Sequence, residues 1–119
     1  MGAGGNIRYS KTLLIISHDK YIELINVKTF HLVKRFKLSS SITSLQIWKN
    51  FLMIGESSGH ISLINLRLNC FEIDPVQLSN SSIKEIGILG SNKFILSTGE
   101  LLFYIELIFG GSALKFEIE

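Results

Sequence analysis

Two heptads 39 residues apart constrain this chain more than any other feature. Tyr21-Ile22-Glu23-Leu24-Ile25-Asn26-Val27 and His60-Ile61-Ser62-Leu63-Ile64-Asn65-Leu66 share Ile, Leu, Ile and Asn in register. A second pair, Ser41-Ile42-Thr43-Ser44-Leu45-Gln46-Ile47 and Ser82-Ile83-Lys84-Glu85-Ile86-Gly87-Ile88, keeps its apolar positions in register at an offset of 41. A third, Phe51-Leu52-Met53-Ile54 and Phe94-Ile95-Leu96-Ser97, is offset by 43. Self-similarity at such a period marks an array of supersecondary units, each burying its apolar face on the next. The small drift in offset is what turns of unequal length produce.

The residues within one unit read as short strands. Eighteen Ile and 17 Leu stand against two Ala, so the chain is not composed like a helical bundle, which would favour Ala. Ile42, Leu45 and Ile47 with Trp48 make a strand ended by the Lys49-Asn50 turn. Phe51 to Ile54 is a continuous apolar run, the pattern of a strand buried on both faces. Gly55-Glu56-Ser57-Ser58-Gly59 is rich in turn formers, and Ile61 to Leu66 follows as a third strand. Asn69-Cys70 turns the chain into a fourth, Phe71 to Leu78, where Pro75 removes a ladder hydrogen bond and predicts a sheet edge. Four strands per ~40 residues, the last an edge, is the blade of a β-propeller.

At this point the residues resemble the WD40-repeat family. Ser17-His18-Asp19-Lys20-Tyr21-Ile22 leads into Leu24-Ile25-Asn26-Val27, and Glu56-Ser57-Ser58-Gly59-His60-Ile61 into Leu63-Ile64-Asn65-Leu66. Ile-Asn stands where the family has Trp-Asp, and Ser39-Ser40-Ser41 and Ser79-Asn80-Ser81-Ser82 fill the loops where Gly-His would open a repeat. Asp19 matches one position of the family's hydrogen-bond network, without the His and Trp that complete it. The third unit departs further, with Thr98-Gly99-Glu100 as a shortened turn. The resemblance implies an all-β propeller segment that binds proteins through loops on its faces. Asp19, Lys20, Tyr21, Ser58, His60 and Glu100 are the turn residues that would contact a partner.

The expected organisation is a flexible N-terminal segment over 1–10 and a propeller segment over 11–119, with blades near 11–38, 42–78 and 83–119. The first blade shows about three strands and the others four. Closed propellers need roughly four to eight blades, so three leave apolar faces uncovered. Something must complete the ring: the rest of a longer propeller of which this is a segment, other protein subunits of a complex, or a second copy of the chain. The alternative is a self-contained β-sandwich or barrel binding a small ligand or lipid.

Chemistry is hard to find. Gly55-Glu56-Ser57-Ser58-Gly59 matches the G-x-S-x-G elbow of hydrolases, but a strand pattern follows it where a helix should. His60 is the last histidine, so no base follows the serine, as that fold's chain order requires. His18, His31 and His60 lack metal spacing, and Cys70 is alone. The carboxylate pairs Glu72/Asp74 and Glu117/Glu119 have i, i+2 spacing, which suits the solvent side of an outer strand. No glycine-rich phosphate loop with its Lys is present, so no cofactor and no catalysis are expected. Net charge is +2, too small for a general nucleic-acid binder, and the basic run Lys34-Arg35-Phe36-Lys37 reads as a solvated strand face. The charge is uneven: residues 1–60 sum to +5 and 61–119 to −3, a gradient that chance scatter over solvated loops and strand faces accounts for, and that would otherwise suit head-to-tail packing or a charged partner. The longest apolar stretch, Leu101 to Phe109, is interrupted by Glu106 and falls short of the ~18–20 residues of a membrane span. A soluble intracellular chain is the expectation.

Overall fold

Each unit of the repeat becomes a meander in which consecutive strands pair antiparallel. A computed structural model describes residues 6–9, 12–108 and 113–118, with side chains from 12 to 108. Among these residues twelve strands form three four-stranded sheets. The first holds β1 (Asn6–Tyr9), β2 (Leu13–His18), β3 (Tyr21–Asn26) and β4 (Leu32–Lys37). The second holds β5 (Ile42–Trp48), β6 (Phe51–Glu56), β7 (His60–Asn65) and β8 (Cys70–Gln77). The third holds β9 (Glu85–Gly90), β10 (Lys93–Ser97), β11 (Leu102–Ile108) and β12 (Ala113–Ile118). Strand order follows chain order in every sheet, and the molecule measures 44 × 36 × 20 Å.

Two expectations need correction. The first unit has four strands rather than about three, because β1 lies inside the stretch 1–10 read as flexible. Its four residues alternate too briefly to signal a strand; pairing with β2, from Asn6↔Ser17 to Tyr9↔Leu14, identifies them. Residues 1–5 and 10 of that stretch lie outside the described residues, as does Glu119. Nor is the alternative sandwich or barrel formed. The three sheets are hydrogen-bonded within themselves and stack side by side.

The second sheet carries the core, because it is covered on both sides. On β6 and β7, Leu52, Ile54 and Ile64 pack toward the first sheet, against Leu13, Ile15, Ile22, Leu24 and Phe36. The alternate residues Met53, Ile61 and Leu63 pack toward the third sheet, against Phe94, Leu96, Phe103 and Ile105. The apolar run Phe51 to Ile54 is thus the two-faced strand its composition predicts. Each such side chain, fully withdrawn from water, stabilises the stack by about 1.5–3 kcal/mol. On the outermost strand β8, Pro75 stands at a sheet edge, and Glu72 and Asp74 are exposed, as expected. On the edge strand β4 the basic run splits: Phe36 is buried while Lys34, Arg35 and Lys37 are exposed.

Local polar groups fix the turns and the seams. The repeated asparagine of the Ile-Asn pair works as an acceptor for its own turn. Asn26 Oδ1 takes the N–H groups of Lys28 and Thr29 at 2.8 and 3.1 Å, and Asn65 Oδ1 takes those of Arg67 and Leu68 at 2.9 and 3.0 Å. Both turns end in a left-handed residue, Phe30 at φ 59° and Asn69 at φ 56°. Between the second and third sheets, Ser44 Oγ donates to the Ile83 carbonyl at 3.1 Å and Gln46 Nε2 to that of Ile86 at 3.0 Å. These bonds bring β5 alongside β9, the first strand of one sheet beside the first of the next.

Candidate protein-binding rim

The turn joining second strand to third recurs in every sheet: Asp19-Lys20, Ser57-Ser58-Gly59, and Thr98 through Leu101. Backbone bonds align these turns with the two linkers between sheets. The Ile42 N–H donates to the Asp19 carbonyl at 2.7 Å, and that of Ser57 to Ser41 at 2.8 Å. The Ile83 N–H donates to the Glu56 carbonyl at 3.1 Å, and that of Lys84 to Ser97 at 2.7 Å. Linker 38–41 therefore runs between the first and second turns, and linker 78–84 between the second and third. The result is one continuous rim along the same edge of all three sheets.

Side chains tie the rim together. Ser41 Oγ donates to Asp19 Oδ1 at 3.0 Å. The Ser40 N–H donates to Glu56 Oε1 at 2.7 Å, and its hydroxyl lies 2.6 Å from Ser58 Oγ. Ser58 Oγ in turn lies 2.6 Å from His60 Nδ1, and Gln77 Nε2 donates to the Ser58 carbonyl at 2.8 Å. Glu56 is wholly buried, at 0% exposure, where the linker crosses from the first sheet to the second. Gly59 closes the turn at φ 85°, and a Cβ there would meet the Ser79 carbonyl oxygen at 2.0 Å.

Of the six residues singled out from sequence, Asp19, Ser58 and His60 join this network, and Lys20 lies in the first turn with its carbonyl accepting the Leu38 N–H at 2.7 Å. Glu100 is exposed on the third turn. Tyr21 belongs elsewhere: it lies on the first sheet's outward face, with the Arg35 guanidinium 4.2 Å from its ring centre and the His18 ring at 5.8 Å. Glu23 links that group, 4.0 Å from His18 Nε2 and 3.9 Å from Arg35 Nε. Sequence reasoning missed Ser40, Ser41 and Glu56 as members of the rim. The serine runs in the two matching linkers were the available signal.

The arrangement does not assemble a hydrolase elbow. Ser57, at the nucleophile position of G-x-S-x-G, is exposed in a turn that strand β7 follows, and His60 bonds Ser58 instead. Among the described residues no three His, Cys, Asp or Glu side chains are grouped to hold a metal ion. Nor is any helix there long and apolar enough to cross a membrane.

The architecture has counterparts among solved structures. The chain matches the crystal structure of the Myceliophteria thermophila Cps50 (Swd1) β-propeller domain with a TM-score of 0.76 at 12% identity, over 99% of its own length and 39% of that chain. The fold is that of β-propeller blades. The three blades do not close a ring by themselves. The computationally designed Ika8 protein gives a TM-score of 0.70 at 13% identity, over 84% of this chain and 32% of that one. The designed Ika4 protein gives 0.65 at 12% identity, over 94% and 63%. The chain therefore spans between about a third and two thirds of these propeller-like neighbours, and at such identities the likeness is one of fold. No family model matches the chain, and no curated protein matches its sequence.

Proposed function

We propose that this chain is a noncatalytic protein-interaction scaffold, a divergent WD40-like propeller segment working as a subunit of an intracellular multiprotein complex. The observation that carries the reading is the rim: three equivalent turns in line, held by hydrogen bonds through both linkers. A surface so fixed presents Asp19, Lys20, Ser58, His60 and Glu100 to a partner with little ordering cost on binding. The WD40-like spacing of the turns and the propeller neighbours support it.

The test uses tagged chain in a cell extract, with the retained proteins quantified for wild type and for Lys20→Glu/Glu100→Lys. These two side chains stand on turns, and their reversal leaves the rim's bonds intact. A discrete set of proteins retained by wild type and reduced at least tenfold by the double variant supports the reading. Equal retention by both, or none by either, refutes it.

A further inference from the structure

The two outer blades each turn one sheet face away from the second blade, and both faces are patterned like the seams already formed. On the first blade the outward residues are Leu14, Ile16 and Ile25, all half-buried, with Leu14 paired across to Ile25. They occupy the places that Leu52, Ile54 and Ile64 hold in the second blade, where those residues pack on a neighbour. On the third blade the outward residues are Ile95, Tyr104 and Leu102, with Ile95 paired to Tyr104 and Ser97 to Leu102. Their counterparts in the second blade are Met53, Leu63 and Ile61, which are buried in the seam. Leu102 is 39% exposed where Ile61 is 2% exposed.

The charges of the two faces differ in sign. Arg35 and Lys37 flank the first face opposite Glu23 and Tyr21, whereas Glu85 and Glu106 flank the third beside Lys93. Over whole blades, residues 6–38 hold seven Lys/Arg against two acids, and residues 83–119 hold three against five. Like faces would therefore repel, and unlike faces attract. We propose that a second copy of this chain closes the ring. The first blade of each copy packs its outward face on the third blade of the other, giving two equal seams and six blades, within the roughly four to eight that closed propellers use. The inference rests on the propeller-scaffold reading and names its first partner.

The test is the absolute mass of the 119-residue chain by light scattering after size exclusion. The expected value is about 27 kDa, twice the 13.4 kDa of one chain. Ile16→Lys on one face and Ile95→Glu on the other should each halve the mass while far-ultraviolet circular dichroism keeps its strand signal. Mixing the two variants should restore the dimer, because one seam is then wild type and the other pairs Lys with Glu. A wild-type monomer, a ladder of open polymers, mass recovered only with a different protein bound, or a mixture that stays monomeric overturns the proposal. In each of those cases the rim reading stands or falls separately, on the retention of partners by wild type against Lys20→Glu/Glu100→Lys.

Discussion

Replacing Gly55 by alanine should be among the most damaging single-methyl additions in this chain. A Cβ at that position would lie 2.3 Å from Ser44 Oγ and 2.6 Å from Ile83 Cγ2. Neither neighbour is free to retreat. Ser44 Oγ donates to the Ile83 carbonyl, and turning it away loses a bond worth about 1 kcal/mol. Ile83 is 0% exposed in the seam between the second and third blades, and overpacking such a site costs about 1–3 kcal/mol. Reduced freedom of the unfolded chain returns about 0.4–1 kcal/mol. The net loss is about 2 kcal/mol, or roughly 6–12 °C in Tm for a domain of this size. Two other glycines serve as controls. At Gly87 the added methyl meets only the Ile95 Cγ2 methyl as a close contact, at 3.1 Å, a side-chain end that need give by only a few tenths of an ångström, so the change should stay within about 1 kcal/mol. At Gly90 nothing lies within 4 Å, and alanine should leave Tm unchanged or raise it slightly. Thermal unfolding followed by circular dichroism gives the ranking. A Gly55→Ala protein that melts with or above Gly90→Ala would show that β6 does not approach Ser44 and Ile83 as described.

Two further substitutions separate local geometry from packing. Phe30 is 74% exposed at φ 59°, in the turn position that Asn69 fills in the next blade; Phe30→Asn should therefore stabilise the chain by about 1 kcal/mol, and an unchanged or lowered Tm would refute the account of the turn. Ile61→Asp places a carboxylate among Met53, Leu63 and Ile83 without a partner, at a cost comparable with the whole 5–15 kcal/mol stability of a small domain, so soluble folded protein should be lost; an unaltered melting curve would refute the assignment of β7 to the seam.

What could be read from the sequence depended on whether the signal was local. Phe51 to Ile54 announced a strand covered on both sides, because four apolar residues in succession leave no face for water. Pro75 announced an edge by lacking an N–H. By contrast, Asn26 and Asn65 were visible as a repeated letter but not as acceptors for their own turns, since a departure from Trp-Asp gives no hint of what replaces it. Ser44 and Gln46 alternate with Leu45 and Ile47 like a solvated strand face, yet their side chains bond carbonyls about forty residues on. No periodicity reports such a contact. The rim divided in the same way. Its turns followed from Gly, Ser and Asp in the right places, while the bond from Ser40 to Glu56 exists only because a linker crosses between sheets.

The seams between blades therefore use two kinds of interaction with different jobs. Apolar contact supplies most of the free energy but is nearly indifferent to position. A seam of Ile and Leu side chains could slide by one strand residue pair and still exclude water. The directional bonds do not survive that slide. Moving β5 along β9 would strand the Ile83 and Ile86 carbonyls in a place without water, at about 1–3 kcal/mol for each unsatisfied group. Moving linker 38–41 would do the same to the buried Glu56 carboxylate, which accepts the Ser40 N–H at the rim. The polar set thus holds the three turns in line, and a binding rim depends on that alignment more than on total stability. The same reasoning bears on the outward faces of the first and third blades. Leu14, Ile16, Ile95 and Tyr104 would drive two copies together without fixing their register, so the alignment of a closed ring falls to Arg35 and Lys37 on one face and Glu85 and Glu106 on the other. Reversing Arg35 and Lys37 to glutamate should for that reason weaken the dimer more steeply at low salt than at high, because seams that share apolar area but differ in charge pairing part only in their screened term.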